Sequence, residues 1–254
     1  MNERSTGRKV ALITGANKGI GRATAERLAA LGMTVLVGAR NPQRGEETAA
    51  QIRAAGGDAR SLALDVTDQD AAKAAAKWIG ERFGRLDVLV NNAGVSGSGQ
   101  AAPQDAVDRV PSEVDPEVVK EVFATNVFGV IAVTNAMIPL LRRSPAPRIV
   151  NLTSHAASVT LYSDPAGLLA GLPSAAYSPS KTALNAVTVQ YANELRGDGF
   201  LVNAFAPGYV DTEINGNTGV ITPAQAAAGV VRMATLEEDG PTGGFHSEEG
   251  TVPW

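Results

Sequence analysis

Val10-Ala11-Leu12-Ile13-Thr14-Gly15-Ala16-Asn17-Lys18-Gly19-Ile20-Gly21 joins a short apolar run to a loop punctuated by glycine, and apolar residues then recur at helical spacing as far as Leu31. A bounded apolar run followed by a 3.6-residue period reads as a buried strand leading into a helix. The glycines permit a tight turn and let the backbone approach a pyrophosphate at the helix N-terminus. Their spacing is G-x-x-x-G-x-G rather than G-x-G-x-x-G. Taken alone, such a loop describes equally well a turn that only connects strand to helix.

The same alternation continues outward from this stretch. Thr34 to Val37 reads as a second strand, Pro42 to Ala54 as a helix, Ser61 to Leu64 as a third strand, Asp68 to Phe83 as a helix and Leu86 to Val90 as a fourth strand. A long loop with Gly94, Gly97, Gly99, Pro103 and Pro111 follows, and loops of that length often carry function. Asp115-Pro116 then gives a cap and a first-turn proline for a helix that ends near Arg142-Arg143. Arg148 to Leu152 is a fifth strand, Ser174 to Leu195 contains a long helix, and Leu201 to Phe205 is a sixth strand. Thr222-Pro223 opens a helix to about Leu236, and Gly243-Gly244-Phe245 suits a last strand. These repeats predict an α/β fold: one Rossmann-type domain over residues 1–254, doubly wound, with a parallel sheet of about seven strands and helices on both faces. Chemistry is then to be sought just beyond the carboxyl ends of the strands.

Composition narrows the function classes. A net charge of −4 with scattered cations offers no basic stripe for nucleic acid. With no cysteine, and only His155 and His246 as imidazoles, neither a disulfide framework nor a structural metal is expected. No apolar run approaches the roughly 20 residues that span a bilayer, and the N-terminal stretch lacks the apolar core of a secretion signal, so the expectation is a cytoplasmic protein with no membrane partner.

Beyond the second strand the chain reads Val37-Gly38-Ala39-Arg40, where an NAD-binding fold often carries an acid for the ribose 2′-hydroxyl. Arg40 can instead pair with the 2′-phosphate of NADP(H), and Lys18 adds a point charge. Tyr177 and Lys181 stand four apart and share a helix face. An ammonium held beside a phenol favours the phenolate, so Lys181 is expected to lower the pKa of Tyr177 and make it a usable acid. Pro179 fits only the first turn of that helix, which places Tyr177 at its start. Ser154 follows the fifth strand, where its hydroxyl can donate to a carbonyl oxygen or simply cap a turn.

In this order, Thr14-Gly15-x-x-x-Gly19-x-Gly21, Asp65-Val66, Asn91-Asn92-Ala93-Gly94, Asn126, Ser154, Tyr177-x-x-x-Lys181 and Pro207-Gly208-x-x-x-Thr212 resemble the short-chain dehydrogenase/reductase family from the first strand to the C-terminus. The Gly15-Ala16-Asn17-Lys18-Gly19-Ile20-Gly21 loop and the Gly240 to Phe245 and Val252-Pro253-Trp254 tail resemble its carbonyl-reductase-like branch. The resemblance implies that Asn17, Lys18 and Ile20 lie with the loop glycines along the cofactor. It further implies that Asp65 accepts from the adenine amino group and Val66 packs on the adenine. Asn91, Asn92, Ala93 and Gly94 would stabilise the sheet beside the cofactor, with Pro207, Gly208, Val210 and Thr212 bordering the nicotinamide. Asn126 is similar to the family's fourth catalytic residue, which holds a water linking Lys181 to solvent. Tyr177 and Lys181 would also touch the cofactor, Lys181 through the nicotinamide ribose.

The expected reaction is NADPH-dependent reduction of a ketone or aldehyde, with Ser154 positioning the carbonyl oxygen and Tyr177 protonating it. An alcohol dehydrogenase working in the oxidative direction and a non-catalytic NADP-sensing protein are the alternatives. His155 beside Ser154 reads as a surface or hydrogen-bonded residue rather than a base. Between Ser154 and Tyr177 lie 22 residues, more than many relatives have by resemblance. Apolar Leu161, Tyr162, Leu168, Leu169 and Leu172 are expected to fold over the helices through which family members pair, which favours a monomer, with a dimer as the alternative.

Overall fold

The apolar runs lie side by side in one sheet. In the computed structural model, which describes residues 7–97, 110–172 and 174–254, its strands are β1 (Val10–Thr14), β2 (Thr34–Ala39), β3 (Asp58–Ala63), β4 (Val88–Asn91), β5 (Arg148–Leu152), β6 (Leu201–Phe205), β7 (Phe245–Ser247) and β8 (Gly250–Thr251). Their spatial order is β3-β2-β1-β4-β5-β6-β7-β8, and every pair is parallel except β7 with β8. The expected sheet of about seven strands thus has eight. The added strand is a two-residue hairpin arm, too short to show any period. The order reverses between β1 and β4, which opens a crevice at their carboxyl ends.

Strand alternation sorts the core into two layers. Leu12, Leu36, Leu89, Ile149 and Val202 face one cluster with Ile79, Val133, Met137 and Leu195, whereas Ile13, Val35, Val37, Val90 and Val150 face another with Leu28, Ile52 and Val230. The second layer belongs to α1 (Gly19–Ala30), α2 (Pro42–Ala54) and α8 (Pro223–Ala234). The first belongs to α3 (Gln69–Phe83), to α4 (Pro116–Phe123) continued by α5 (Gly129–Leu141), and to α7 (Tyr177–Leu195). Side-chain caps start four helices, two of them at the cap-plus-proline signals of Asp115 and Thr222. Asn41 accepts from Arg44 N, Asp68 from Asp70 N and Ala71 N, Asp115 from Glu117 N, and Thr222 from Gln225 N.

One expectation needs correction here. The helical run Pro116–Leu141 is, by length and a mean hydropathy of 1.6, apolar enough to cross a membrane. Its Val122, Val127, Val130, Val133, Met137 and Leu141 are buried within the domain, so the length serves a core helix. A short helix, α6 (Val159–Ser163), also occupies the segment after Ser154, where five residues give no readable period. Gly99 and Pro103 of the long loop lie outside the described residues.

Candidate active site

The glycine loop after β1 is built for close approach. Gly15 has φ 63° and Gly19 φ 54°, both left-handed, and a Cβ on Gly15 would stand 3.0 Å from Ala93 Cα. Thr14 and Asn92 lock this loop to the end of β4. Thr14 Oγ1 accepts from the backbone N–H groups of Asn92 and Ala93 at 3.0 Å each, and Asn92 Nδ2 donates to Thr14 O and Gly15 O at 2.8 and 3.2 Å. Behind them, buried Asn91 donates to Thr134 and Asn151, and Asn151 to Thr188, which ties β4 and β5 to α5 and α7.

No side chain caps α1, and its first turn holds no acid. Its N-terminus therefore offers N–H groups and the positive end of a helix dipole to an anion, directly after a loop whose Gly15 and Gly19 carry no Cβ. The residues present fit a dinucleotide pyrophosphate on this ground. Ile20 packs into the core beneath the loop. Asn17 and Lys18 line an open cleft of about 230 Å³ with Arg44 and Glu213. The Lys18 ammonium does not stand alone there, for it is ion-paired with Glu213 across the crevice mouth.

Arg40 is exposed immediately beyond β2. Asp65 accepts from the hydroxyl and N–H of Thr67 at 2.7 and 3.0 Å, and that hydroxyl, with lesser help from Arg40, holds its carboxyl below the ordinary value against the opposing effect of burial. Val66 is buried, its methyl facing Gly129. On the far side, Pro207 and Gly208 follow β6, Val210 is buried and accepts from Asn215 Nδ2 at 2.9 Å, and Thr212 forms a reciprocal cap with Asn215. A Cβ on Gly19 would touch the Thr212 methyl at 3.3 Å, so the two rims of the crevice meet here.

Four side chains converge beyond β4 and β5. Ser154 Oγ accepts from Ala156 N at 3.2 Å, so the turn-capping reading of this residue is met. Tyr177 is the first residue of α7, and the Ser154 hydroxyl lies near enough to act on its phenol. Lys181 is 5% exposed, its Nζ 2.8 Å from Leu152 O and 5.8 Å from the centre of the Tyr177 ring. Asn126 is fully buried in a π-helical turn, Ala124–Phe128, between α4 and α5, an irregularity that often marks functional sites. Its amide bonds Val95 N and O and Ser180 Oγ within 3.0 Å. A Cβ on Gly94 would lie 3.2 Å from Asn126 Oδ1 and 3.5 Å from Lys181 Nζ, so all three border one space.

The electrostatics differ from the sequence expectation. Burial, rather than an ammonium, dominates at Tyr177 and pushes its pKa up, with the Ser154 hydroxyl pulling the other way. Burial also brings Lys181 down to about 8. The lysine points to the Leu152 carbonyl rather than to the phenol, which is why its charge does not command the tyrosine.

A family model described as short chain dehydrogenase matches residues 9–220. The chain belongs to the short-chain dehydrogenase/reductase family. Short-chain dehydrogenase/reductase 1 of Saponaria officinalis is 32% identical, with 97% of this chain and 96% of that protein covered. That alignment runs over 293 residues, so the plant protein has insertions that this 254-residue family member lacks. Among solved structures, salutaridine reductase from Papaver somniferum superposes with a TM-score of 0.78 at 30% identity, covering 95% of this chain and 100% of that one. NADPH-bound carbonyl reductase from chicken fatty liver gives 0.80 at 28%, covering 97% and 99%. This short-chain dehydrogenase/reductase is thus an oxidoreductase on an established scaffold.

Sequence reasoning missed the supports of the site. Tyr162, Ser178 and Ser180 surround Tyr177, and Glu213 meets Lys18, yet no spacing signals either arrangement. Of the apolar residues expected to cover the pairing helices, Leu161 packs beside Phe245 and Val252. Leu168 is 95% exposed and Phe128, near Asn126, 62%. The tail does return to the domain: Trp254 packs on Phe245 and accepts from Thr160.

Proposed function

We propose that the protein reduces a ketone or aldehyde to an alcohol with NADPH, and that Tyr177 donates the proton. The observation that carries the reading is the convergence of Ser154, Tyr177, Lys181 and Asn126 beyond β4 and β5, next to the glycine loop. The loop glycines and the α1 N-terminus would hold the pyrophosphate, Asp65 and Val66 the adenine side, and Pro207, Gly208, Val210 and Thr212 the nicotinamide side. Bound NADPH supplies hydride to the carbonyl carbon.

The chain's own residues supply orientation and the proton. Ser154, whose hydroxyl stands beside Tyr177, would orient the carbonyl oxygen. Tyr177 is held protonated by burial, which suits a donor in the reductive direction. Lys181 carries positive charge below about pH 8 and can bond a ribose hydroxyl. Arg40, standing just after β2 where an NAD-binding fold often carries an acid, supports NADP(H) over NAD(H). Exposed apolar side chains in the loops after β4, β5 and β6, among them Val95, Leu172, Tyr209 and Val220, favour a carbonyl compound with an apolar body.

The test is NADPH oxidation followed at its absorbance band with a panel of carbonyl compounds. Tyr177→Phe is expected to keep NADPH binding and lose about 10²–10⁴-fold in turnover, as for loss of an acid–base group. Wild-type turnover in that variant refutes the assignment.

A further inference from the structure

The start of α7 is poorly supported by its own sequence. Ala176 at the N-cap has no side chain to accept a hydrogen bond, and Pro179 in the first turn has no N–H to satisfy. Tyr177 sits on this turn, so its direction depends on what grips the turn from outside. Ser174 Oγ accepts from Ser178 N at 3.2 Å. Ser180 Oγ donates to Tyr177 O at 2.6 Å and accepts from Asn126 Nδ2 at 3.0 Å.

Tyr162 supplies the grip from the other side. Its hydroxyl donates to Leu172 O at 3.0 Å, which leaves its oxygen to accept from Ser178 Oγ, also at 3.0 Å. Tyr162 lies on α6, within the segment that begins beside Ser154 and ends at Tyr177. That segment is fastened to the domain elsewhere as well. Thr182 Oγ1 donates to Ala157 O at 2.9 Å, and Thr160 donates through N and Oγ1 to Trp254 O at 2.9 and 2.6 Å. Of these ties, the Tyr162 hydroxyl joins α6 to the residue that follows Tyr177, and its proximity is felt there, since Tyr162 adds to the upward push on the Tyr177 phenol.

We propose that Tyr162 is a positioning residue for Tyr177: by holding Ser178 it fixes the phenol over the crevice and couples its orientation to the segment after Ser154. The proposal rests on the carbonyl-reductase reading. It requires that the loss act on the chemical step, because Tyr162 touches neither the glycine loop nor Lys181 among the bonds described.

Tyr162→Phe, Ser178→Ala and the double variant form the test, with kcat, carbonyl KM and NADPH Kd measured for each. Tyr162→Phe and Ser178→Ala are each expected to lower kcat about tenfold, and by no more than the about 10²-fold that a misplacement of 1 Å can cost, with KM and Kd within about twofold of wild type. The double variant is expected to match the single ones, since both remove one contact. Unchanged kcat in either single variant, or effects that multiply in the double one, overturns the proposal. Hydrogen exchange of the amides of residues 177–181 is read in parallel and does not depend on turnover. If wild type reduces no carbonyl compound, the functional reading fails by itself. Faster exchange in Tyr162→Phe then still upholds the tie, and unchanged exchange refutes it.

Discussion

The burial of Lys181 has a consequence for stability. Its side chain is 5% exposed and its pKa falls from 10.5 to about 8 because burial disfavours the ammonium. At about 1.36 kcal/mol per unit, carrying that charge in the folded state costs about 3 kcal/mol at neutral pH. Lys181→Met removes the charge and keeps an unbranched chain of similar volume, at the expense of one hydrogen bond to Leu152 O, about 1 kcal/mol. The variant is therefore expected to be about 2 kcal/mol more stable than wild type at pH 7, a rise in Tm of about 4–8 °C for a chain of this size. The pH dependence gives the sign. Between about pH 8 and 10.5 the unfolded lysine binds more protons than the folded one, so wild-type stability from this group rises with pH, and it is lost as pH falls through 8. The variant lacks that dependence, so its advantage shrinks above pH 8 and vanishes near about pH 9.5. Urea unfolding of both proteins without cofactor, from pH 6.5 to 9.5, measures this. A variant less stable than wild type at pH 7, or a difference that does not vary with pH, refutes a buried ammonium at this position.

Other outcomes follow from the cofactor crevice and the surface. Arg40→Asp is expected to shift the ratio of kcat/KM values from NADPH toward NADH, and an unchanged ratio places the 2′-phosphate away from Arg40. Glu213→Gln frees the paired Lys18 and is expected to tighten NADPH binding about two- to fivefold at low salt, the range of an exposed ion pair, with the gain fading as salt rises. An equal gain for NADH would assign Lys18 to the pyrophosphate rather than the 2′-phosphate. Light scattering at micromolar protein is expected to give a monomer near 26.1 kDa. A mass near two or four times that value would put the exposed Phe128 in an interface between copies.

Local chemistry made much of this protein legible without coordinates. The glycine loop after Val10–Thr14, the cap-plus-proline starts at Asp115 and Thr222, and the four-residue step from Tyr177 to Lys181 are short-range patterns, and each has the conformation its sequence signals. The doubly wound class also followed, because apolar strands joined by helices admit few right-handed arrangements, whereas the order of the strands came only with the structure. What only the tertiary structure decided involves residues far apart in the chain or the solvent they lose together. Asn126 meets both Val95 and Ser180, and Lys18 meets Glu213, through the way the loops after β1, β4 and β6 close on one another. The lysine that spacing places beside Tyr177 turns to the Leu152 carbonyl, and the phenol is pushed up rather than down. A helical period sets which side chains share a face, whereas desolvation depends on every element packed around them, and that sum does not exist until the fold is complete.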